Sequence, residues 1–125
     1  MREIKFRAWD TQEKRYIQIF DNTIGKDWFL PNVKEKYVIE QYTGLKDKNG
    51  KDIYEGDIVT IDDELIESKI AYEVAYYDAA YWFKPIKRLK GRGVIPRRNT
   101  PIARVLFGYE VIGNIHENPE LLEKG

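Results

Sequence analysis

The residues whose types and spacing most suggest chemistry lie in a basic segment of the second half of the chain. Residues 84–104 hold eight basic and no acidic side chains, although the whole chain has 21 of each and no net charge. Cations can follow a phosphate backbone, and neighbouring aromatic rings can stack on bases. One interpretation is therefore a nucleic-acid-binding surface with these members: Lys84, Lys87, Arg88, Lys90, Arg92, Arg97 and Arg98, together with Tyr81 and Trp82.

Two other interpretations of this segment stay open. In the first, the aromatic side chains belong to the core, and the cations form a solvated loop or neutralise the acidic remainder of the molecule. In the second, the cations bind another protein, or the acidic side chains of another copy of this chain. A contact between unlike surfaces of two copies would give a head-to-tail arrangement. We expect a protein that acts by binding and forms a homo-oligomer.

Other groups that could carry chemistry form weaker patterns. Two or more neighbouring carboxylates could hold Mg²⁺ or act as acid and base, and one stretch of the chain offers several. They are Glu55, Asp57, Asp62, Asp63, Glu64 and Glu67. His116 is the only histidine, Ser68 the only serine, and cysteine is absent. An exposed acidic turn explains the carboxylates more simply, so we expect no enzyme, no metal site and no cofactor.

The stretch from Asp47 to Asp52 has the composition of a calcium loop but not its spacing. A loop of the EF-hand type needs a Gly at position six and a Glu at position twelve. Counted from Asp47, Gly50 falls at position four and Ile58 at position twelve. The pair Asn49–Gly50 instead predicts a β-hairpin with a type I′ turn, which requires positive φ at both central residues.

Alternation of apolar and polar residues with a period of two dominates the chain and predicts strands. The strongest segments are residues 4–10, 36–44, 56–62, 69–78, 80–86 and 103–117. Near the C-terminus, Asn118 as N-cap and Pro119 in the first turn predict a short helix. We therefore expect one mainly β (β-rich α+β) domain over residues 1–125. An N-terminal β-hairpin layer over 1–45 would join an SH3-like or partly open β-barrel over 46–125, with an exposed basic loop over 84–101.

Hydropathy bears on where the chain acts. No apolar run approaches the roughly 20 residues that a membrane-spanning helix needs. The N-terminus carries charges at every second or third position, which is unlike a signal peptide. We expect a protein that acts in the cytoplasm without a membrane partner.

Three blocks of the sequence resemble one known family. They read IKFRAWD at the N-terminus, QYTGLKDKNGKDIYEGDIV in the middle and YEVIGNIHENPELLE near the end. In order and spacing they resemble the YopX family of phage and prophage proteins. The resemblance implies a small β-rich accessory protein of a phage or prophage, acting in the bacterial host without an established biochemical function. The segment from Asp62 to Arg104, with its cations, has no counterpart in these motifs.

Overall fold

The computed structural model describes residues 5–18, 36–63, 68–92, 94–102 and 108–123, apart from the side chains of residues 18, 62 and 63. These residues form nine β-strands and one short 3-10 helix. The strands are β1 (Phe6–Asp10), β2 (Arg15–Gln18), β3 (Tyr37–Lys46), β4 (Asp52–Tyr54), β5 (Asp57–Asp63), β6 (Ser68–Tyr77), β7 (Ala80–Lys90), β8 (Thr100–Pro101) and β9 (Tyr109–Asn114). The helix comprises Pro119–Leu122. The mainly β fold predicted from the sequence is confirmed.

The strands build two antiparallel sheets. The first has the order β2-β1-β3-β4 and the second β8-β7-β6-β5-β9, with the second sheet curled into a half-barrel. The first sheet contains the predicted N-terminal layer but extends past residue 45, because β3 continues to Lys46 and β4 pairs with it. Of the predicted strand over 103–117, only β9 is seen, and residues 103–107 lie outside the described part of the chain.

The hairpin of β6 and β7 is the longest pairing in the structure. Its turn contains Asp78 and Ala79, with φ of 48° and 59°. Positive φ at both central residues is the type I′ geometry, whose twist matches that of the flanking strands. The two segments predicted as strands over 69–78 and 80–86 therefore pair as a hairpin, and the second strand continues to Lys90.

The first part of the predicted basic loop is a strand. Residues 84–90 belong to β7, so the prediction of a loop over 84–101 is wrong for this part. Ala71 lies opposite Lys87 and Tyr72 opposite Pro85, which leaves Ile86 as the extra residue of a β-bulge. The bulge interrupts the period-two pattern, and this interruption explains why the sequence resembled a loop after Ile86.

Both faces of the second sheet are packed. One face contributes to a core formed by Ile53, Val59, Tyr72, Val74, Phe83 and Ile102. The other face buries Ile58, Ala71 and the bulged Ile86, against which Ile115 and Leu121 pack. Because the side chains of Phe83 and Ile86 enter different cores, β7 is held on both sides along its length.

The turn after β3 confirms the predicted hairpin but not its predicted type. Only Gly50 has positive φ, at 81°, so the turn is not type I′. The backbone N–H of Gly50 donates to the carbonyl oxygen of Asp47 at 3.0 Å. This geometry matches the type of hairpin loop in which a glycine with positive φ follows the turn. The Asp47 carboxylate explains the difference. Its Oδ1 accepts the N–H groups of Asn49 and Lys51, and its Oδ2 accepts that of Val111 in β9.

Asp47→Asn is expected to lower the free energy of unfolding by about 1–3 kcal/mol at pH 7, because one oxygen that accepts an N–H becomes an NH₂ group. Burial raises the pKa of Asp47, but the N–H groups of Val111, Lys51 and Asn49 outweigh burial and hold this pKa below its usual range. The stabilisation is therefore complete above the unfolded pKa of about 3.9 and is lost as the pH falls through the folded pKa.

Urea unfolding of wild type and Asp47→Asn between pH 2 and pH 7 measures this effect, and the difference between them should shrink at the acid end. Asp78→Asn is the matched control, because Asp78 is exposed at a turn position that Asn adopts readily. A difference between wild type and Asp47→Asn that stays constant with pH would contradict the assignment.

The predicted short C-terminal helix is present and is a 3-10 helix of one turn. Asn118 makes no side-chain cap, so its predicted role as N-cap is wrong. Its Oδ1 instead accepts the backbone N–H of Asn114 at 3.2 Å, which ties the turn back to the end of β9. Among the described residues, no helix is long and apolar enough to cross a membrane.

Candidate nucleic-acid interface

Five of the seven predicted cations form an exposed group on β7 and on the segment that follows it. They are Lys84, Lys90, Arg92, Arg97 and Arg98, here called the basic surface. Within the described part of the chain, no carboxylate forms an ion pair with any of the five. Unpaired exposed cations on one surface produce a positive potential that attracts polyanions.

Strand β8 brings the two halves of the basic surface together. It pairs with the edge of β7, with Phe83 opposite Thr100 and Trp82 opposite Pro101. Since the two strands are antiparallel, the residues just before Thr100 lie beside the part of β7 that follows Phe83. Arg97 and Arg98 therefore return to the neighbourhood of Lys84, although more than ten residues separate them in the sequence.

An aromatic pair lies next to this edge. The rings of Tyr77 and Trp82 stack with centroids 5.0 Å apart and planes 10° apart. The indole Nε1 of Trp82 donates to the Tyr77 carbonyl oxygen at 3.0 Å. The side-chain amide of Asn99, from the segment that carries Arg97 and Arg98, donates to the Tyr77 hydroxyl. The pair is thus held by both the strand and the returning segment.

The structure separates Tyr81 from Trp82, although the sequence analysis grouped them. Tyr81 lies on the other face of β7, where it packs against the core around Phe83. Its hydroxyl donates to the Tyr42 carbonyl oxygen at 3.4 Å, and its ring contacts Tyr76. A ligand that contacts Trp82 cannot contact the ring of Tyr81 on the same face, so we leave Tyr81 out of the interface.

The remaining predicted cations have internal contacts. The Lys87 ammonium donates to the backbone carbonyl oxygen of Glu120 at 3.1 Å, which joins β7 to the C-terminal turn. Arg88 is exposed but also has an intramolecular contact. Glu73 faces Lys84 across the hairpin, and Lys69 faces Lys90. Glu73 therefore offsets part of the positive charge at Lys84.

A second cluster of polar side chains joins the two sheets. Arg7 of β1 donates from Nε to Glu40 of β3 at 2.9 Å and from Nη2 to Asp57 of β5 at 2.7 Å. Glu40 and Asp57 are buried, with 3% and 2% of their surface exposed. The guanidinium also lies over the rings of Tyr16 and Tyr54, 4.2 and 4.7 Å from their centroids. Cation–π contacts of this kind strengthen where water is excluded.

Glu40 is the centre of this cluster, and its carboxylate is fully used. Besides Arg7, it accepts the Tyr16 hydroxyl at 3.0 Å and contacts Nε2 of His116 at 3.1 Å. The His116 ring stacks on Trp9 with centroids 4.9 Å apart and planes 7° apart. His116 therefore lies in a contact between the two sheets.

The electrostatics of the cluster favour a charged arginine and a neutral tyrosine. Burial lowers the pKa of Arg7, but Asp57 and Glu40 outweigh burial, so this pKa is raised above its ordinary value. Burial raises the pKa of Tyr16, and the Glu40 carboxylate raises it further against the opposing effect of Arg7. Both groups hold their hydrogen-bonding protons throughout the physiological pH range.

Two of the six acidic residues considered as metal ligands make hydrogen bonds within the protein. Glu55 accepts the backbone N–H of Gln41, and Asp57 accepts Arg7 together with the backbone N–H of Tyr54. The other four, Asp62, Asp63, Glu64 and Glu67, have side chains outside the described part of the chain. Among the residues that the structure describes, no group of three or more His, Asp or Glu side chains could hold a metal ion.

Sequence reasoning missed this cluster, although one signal was present. In IKFRAWD, Lys5, Arg7 and Trp9 share one face of the strand. A charged face normally points to solvent, but here it points to the second sheet, and Trp9 is only 6% exposed. The large aromatic residue between charges was the available sign that this face is covered.

The fold and these two clusters define a small two-sheet β protein with a buried charge cluster between its sheets and an exposed basic hairpin. The chain belongs to the YopX family, since the model for that family, described as YopX protein, matches residues 5–123. This match confirms the resemblance seen in the three sequence blocks.

Two solved structures are similar to the whole chain. Protein EF1440 from Enterococcus faecalis is 31% identical, with a TM-score of 0.63, and the match covers 98% of this chain and 100% of that one. Protein yopX from Bacillus subtilis is 20% identical, with a TM-score of 0.58 and the same coverage, and this likeness concerns the fold alone. No curated protein matches the chain.

Proposed function

We propose that this protein acts by binding and that its ligand is nucleic acid, held through its phosphates by the basic surface. The observation that carries the proposal is the exposure of five cations without a carboxylate partner in the described part of the chain. Binding of a polyanion would release condensed counterions from the nucleic acid, which is the main source of such affinity. The pairing of β8 with β7 returns Arg97 and Arg98 to the edge that carries Lys84, which gathers these cations on one surface.

Binding is a better-supported function than catalysis for the described residues. The one cluster that combines His with carboxylates has its acceptors used by Arg7, Tyr16 and His116. A general base must reach a substrate proton, and Glu40 is buried beneath groups that already donate to it. The cations of the basic surface, in contrast, are exposed to solvent.

The family resemblance also suggests the origin of the protein and the compartment in which it acts. We infer a phage or prophage accessory protein that acts in the cytoplasm of its bacterial host, where nucleic acid is available. We also propose that it works as a homo-oligomer, because several copies of one basic surface along a polyanion increase the apparent affinity. Light scattering with and without nucleic acid tests the oligomeric state independently of the binding experiment.

Fluorescence anisotropy of labelled single- and double-stranded DNA and RNA, measured at several salt concentrations, tests the binding function. The logarithm of the affinity is expected to fall with the logarithm of salt concentration at a slope of about −3 to −6, as for about four to seven phosphate contacts. No binding at micromolar protein and low salt would overturn the proposal and would direct the search to a host or phage protein partner.

Arg97→Glu with Arg98→Glu is expected to weaken binding at least about tenfold and to flatten the salt slope by about two, because two phosphate contacts are lost. The anisotropy titrations measure both quantities. Lys14→Glu with Lys51→Glu is the control, since it changes the net charge equally at exposed turns of the first half of the chain. Equal losses in the two double variants would show an effect of net charge alone.

A further inference from the structure

We infer that the stacked pair of Tyr77 and Trp82 is a base-stacking site and that the ligand is therefore single-stranded nucleic acid. This inference rests on the proposed function and narrows it to one class of ligand. The aromatic pair would provide a selectivity that the cations do not provide. The basic surface would attract any polyanion, whereas the aromatic pair would recognise only a base that is free to leave its own stack.

The pair has the properties of a preorganised platform. Its two rings are nearly parallel, and hydrogen bonds from Trp82 to the Tyr77 backbone and from Asn99 to the Tyr77 hydroxyl fix their positions. Tyr77 nevertheless remains 38% exposed, so the pair presents aromatic surface to solvent. Rings that are already fixed lose little conformational entropy when a base stacks on them.

The position of the pair suits a base whose phosphates lie on the basic surface. Trp82 and Lys84 point to the same face of β7, and two residues along a strand span about 7 Å. On the other side, Asn99 directly follows Arg97 and Arg98. A base on the rings would thus have cations on both sides for its flanking phosphates.

The aromatic pair favours a single strand for a physical reason. In a duplex the bases are stacked on each other and expose only their edges in the grooves. Contact with a base face would first require unstacking, which costs a few kcal/mol per step. An unpaired base has no such cost, and base–aromatic stacking then adds affinity with little dependence on sequence.

The test compares a labelled oligothymidylate with a duplex of equal length at one salt concentration. Wild type is expected to prefer the single strand. Trp82→Leu is expected to weaken single-strand binding by about fivefold to a hundredfold, the effect of losing one stacked base, and to change duplex binding by less than about twofold. Tyr76→Leu is the matched control, because Tyr76 is an exposed aromatic residue of the same hairpin on the opposite face.

A second measurement covers the case in which Trp82→Leu does not fold. Trp82→Phe keeps an aromatic ring, so it should bind the single strand. Tryptophan fluorescence of wild type is expected to be quenched on binding, and this quenching should be lost with the indole. Equal effects of Trp82→Leu on both ligands, a preference for duplex, or quenching that persists in Trp82→Phe would overturn the inference and leave the proposed function standing. Absence of binding to either ligand would overturn both.

Discussion

Glu40→Ala is expected to lower the free energy of unfolding by about 3–5 kcal/mol, the largest single effect that the structure predicts. The substitution removes the shared acceptor of Arg7, Tyr16 and His116 at a site where water has little access. Arg7 keeps Asp57, but the Tyr16 hydroxyl loses its partner and a cavity replaces the carboxylate. Removing one member of a buried polar cluster lowers stability because the polar groups that remain cannot regain their hydration.

Chemical denaturation measures this loss of stability, and two further variants serve as comparisons. Glu13→Ala removes an exposed carboxylate from the turn after β1 and should change stability by less than about 0.5 kcal/mol. Glu40→Gln keeps the shape and one acceptor oxygen while it removes the charge, so its loss should lie between those of Glu13→Ala and Glu40→Ala. A loss below about 1 kcal/mol for Glu40→Ala would mean that the cluster does not hold the sheets together.

Gly56→Ala is expected to cost about 2–4 kcal/mol, for two reasons that add. Gly56 has φ of 87°, a conformation in which an L-residue pays about 1–2 kcal/mol. A Cβ at this position would also lie 2.8 Å from Cδ of Glu40, so the carboxylate would have to move away from its partners. The glycine thus lets the turn between β4 and β5 approach the cluster that joins the sheets.

Gly50→Ala separates these two contributions in the same denaturation experiment. Gly50 has nearly the same φ, 81°, but a Cβ there would meet no atom within 4 Å. It should therefore show the backbone cost alone, about 1–2 kcal/mol. If the two alanine variants lose the same stability, the close approach of Gly56 to Glu40 makes no energetic contribution.

These stability variants and the binding variants act on different parts of the molecule. Glu40 and Gly56 lie where the first sheet meets the start of β5, whereas the basic surface and the aromatic pair lie on β7 and on the segment before β8. A folded fraction of Glu40→Ala at low temperature should therefore still bind the nucleic acid that wild type binds. Loss of binding without unfolding would place the interface near the cluster instead.

The sequence by itself determined the class of fold, the family and most of the strands. Alternating apolar residues and β-branched side chains define β1, β3, β5 and β6 locally, since a pleated strand places every second side chain on one face. The hairpin near Asp78 and the hairpin containing Gly50 were also predictable, because their turns depend on short-range backbone preferences. The clustering of cations over residues 84–104 is visible in composition alone.

Tertiary structure alone decided which of these residues meet. The bonds from Arg7 to Glu40 and Asp57 join residues 33 and 50 positions apart, and the contact of His116 with Glu40 spans 76 positions. No local pattern encodes such pairs, because they depend on how two sheets pack. The bulge at Ile86, the return of Arg97 and Arg98 to β7, and the separation of Tyr81 from Trp82 likewise follow from strand pairing. A one-residue change of register moves a side chain to the opposite face, so these features exist only once the sheet has formed.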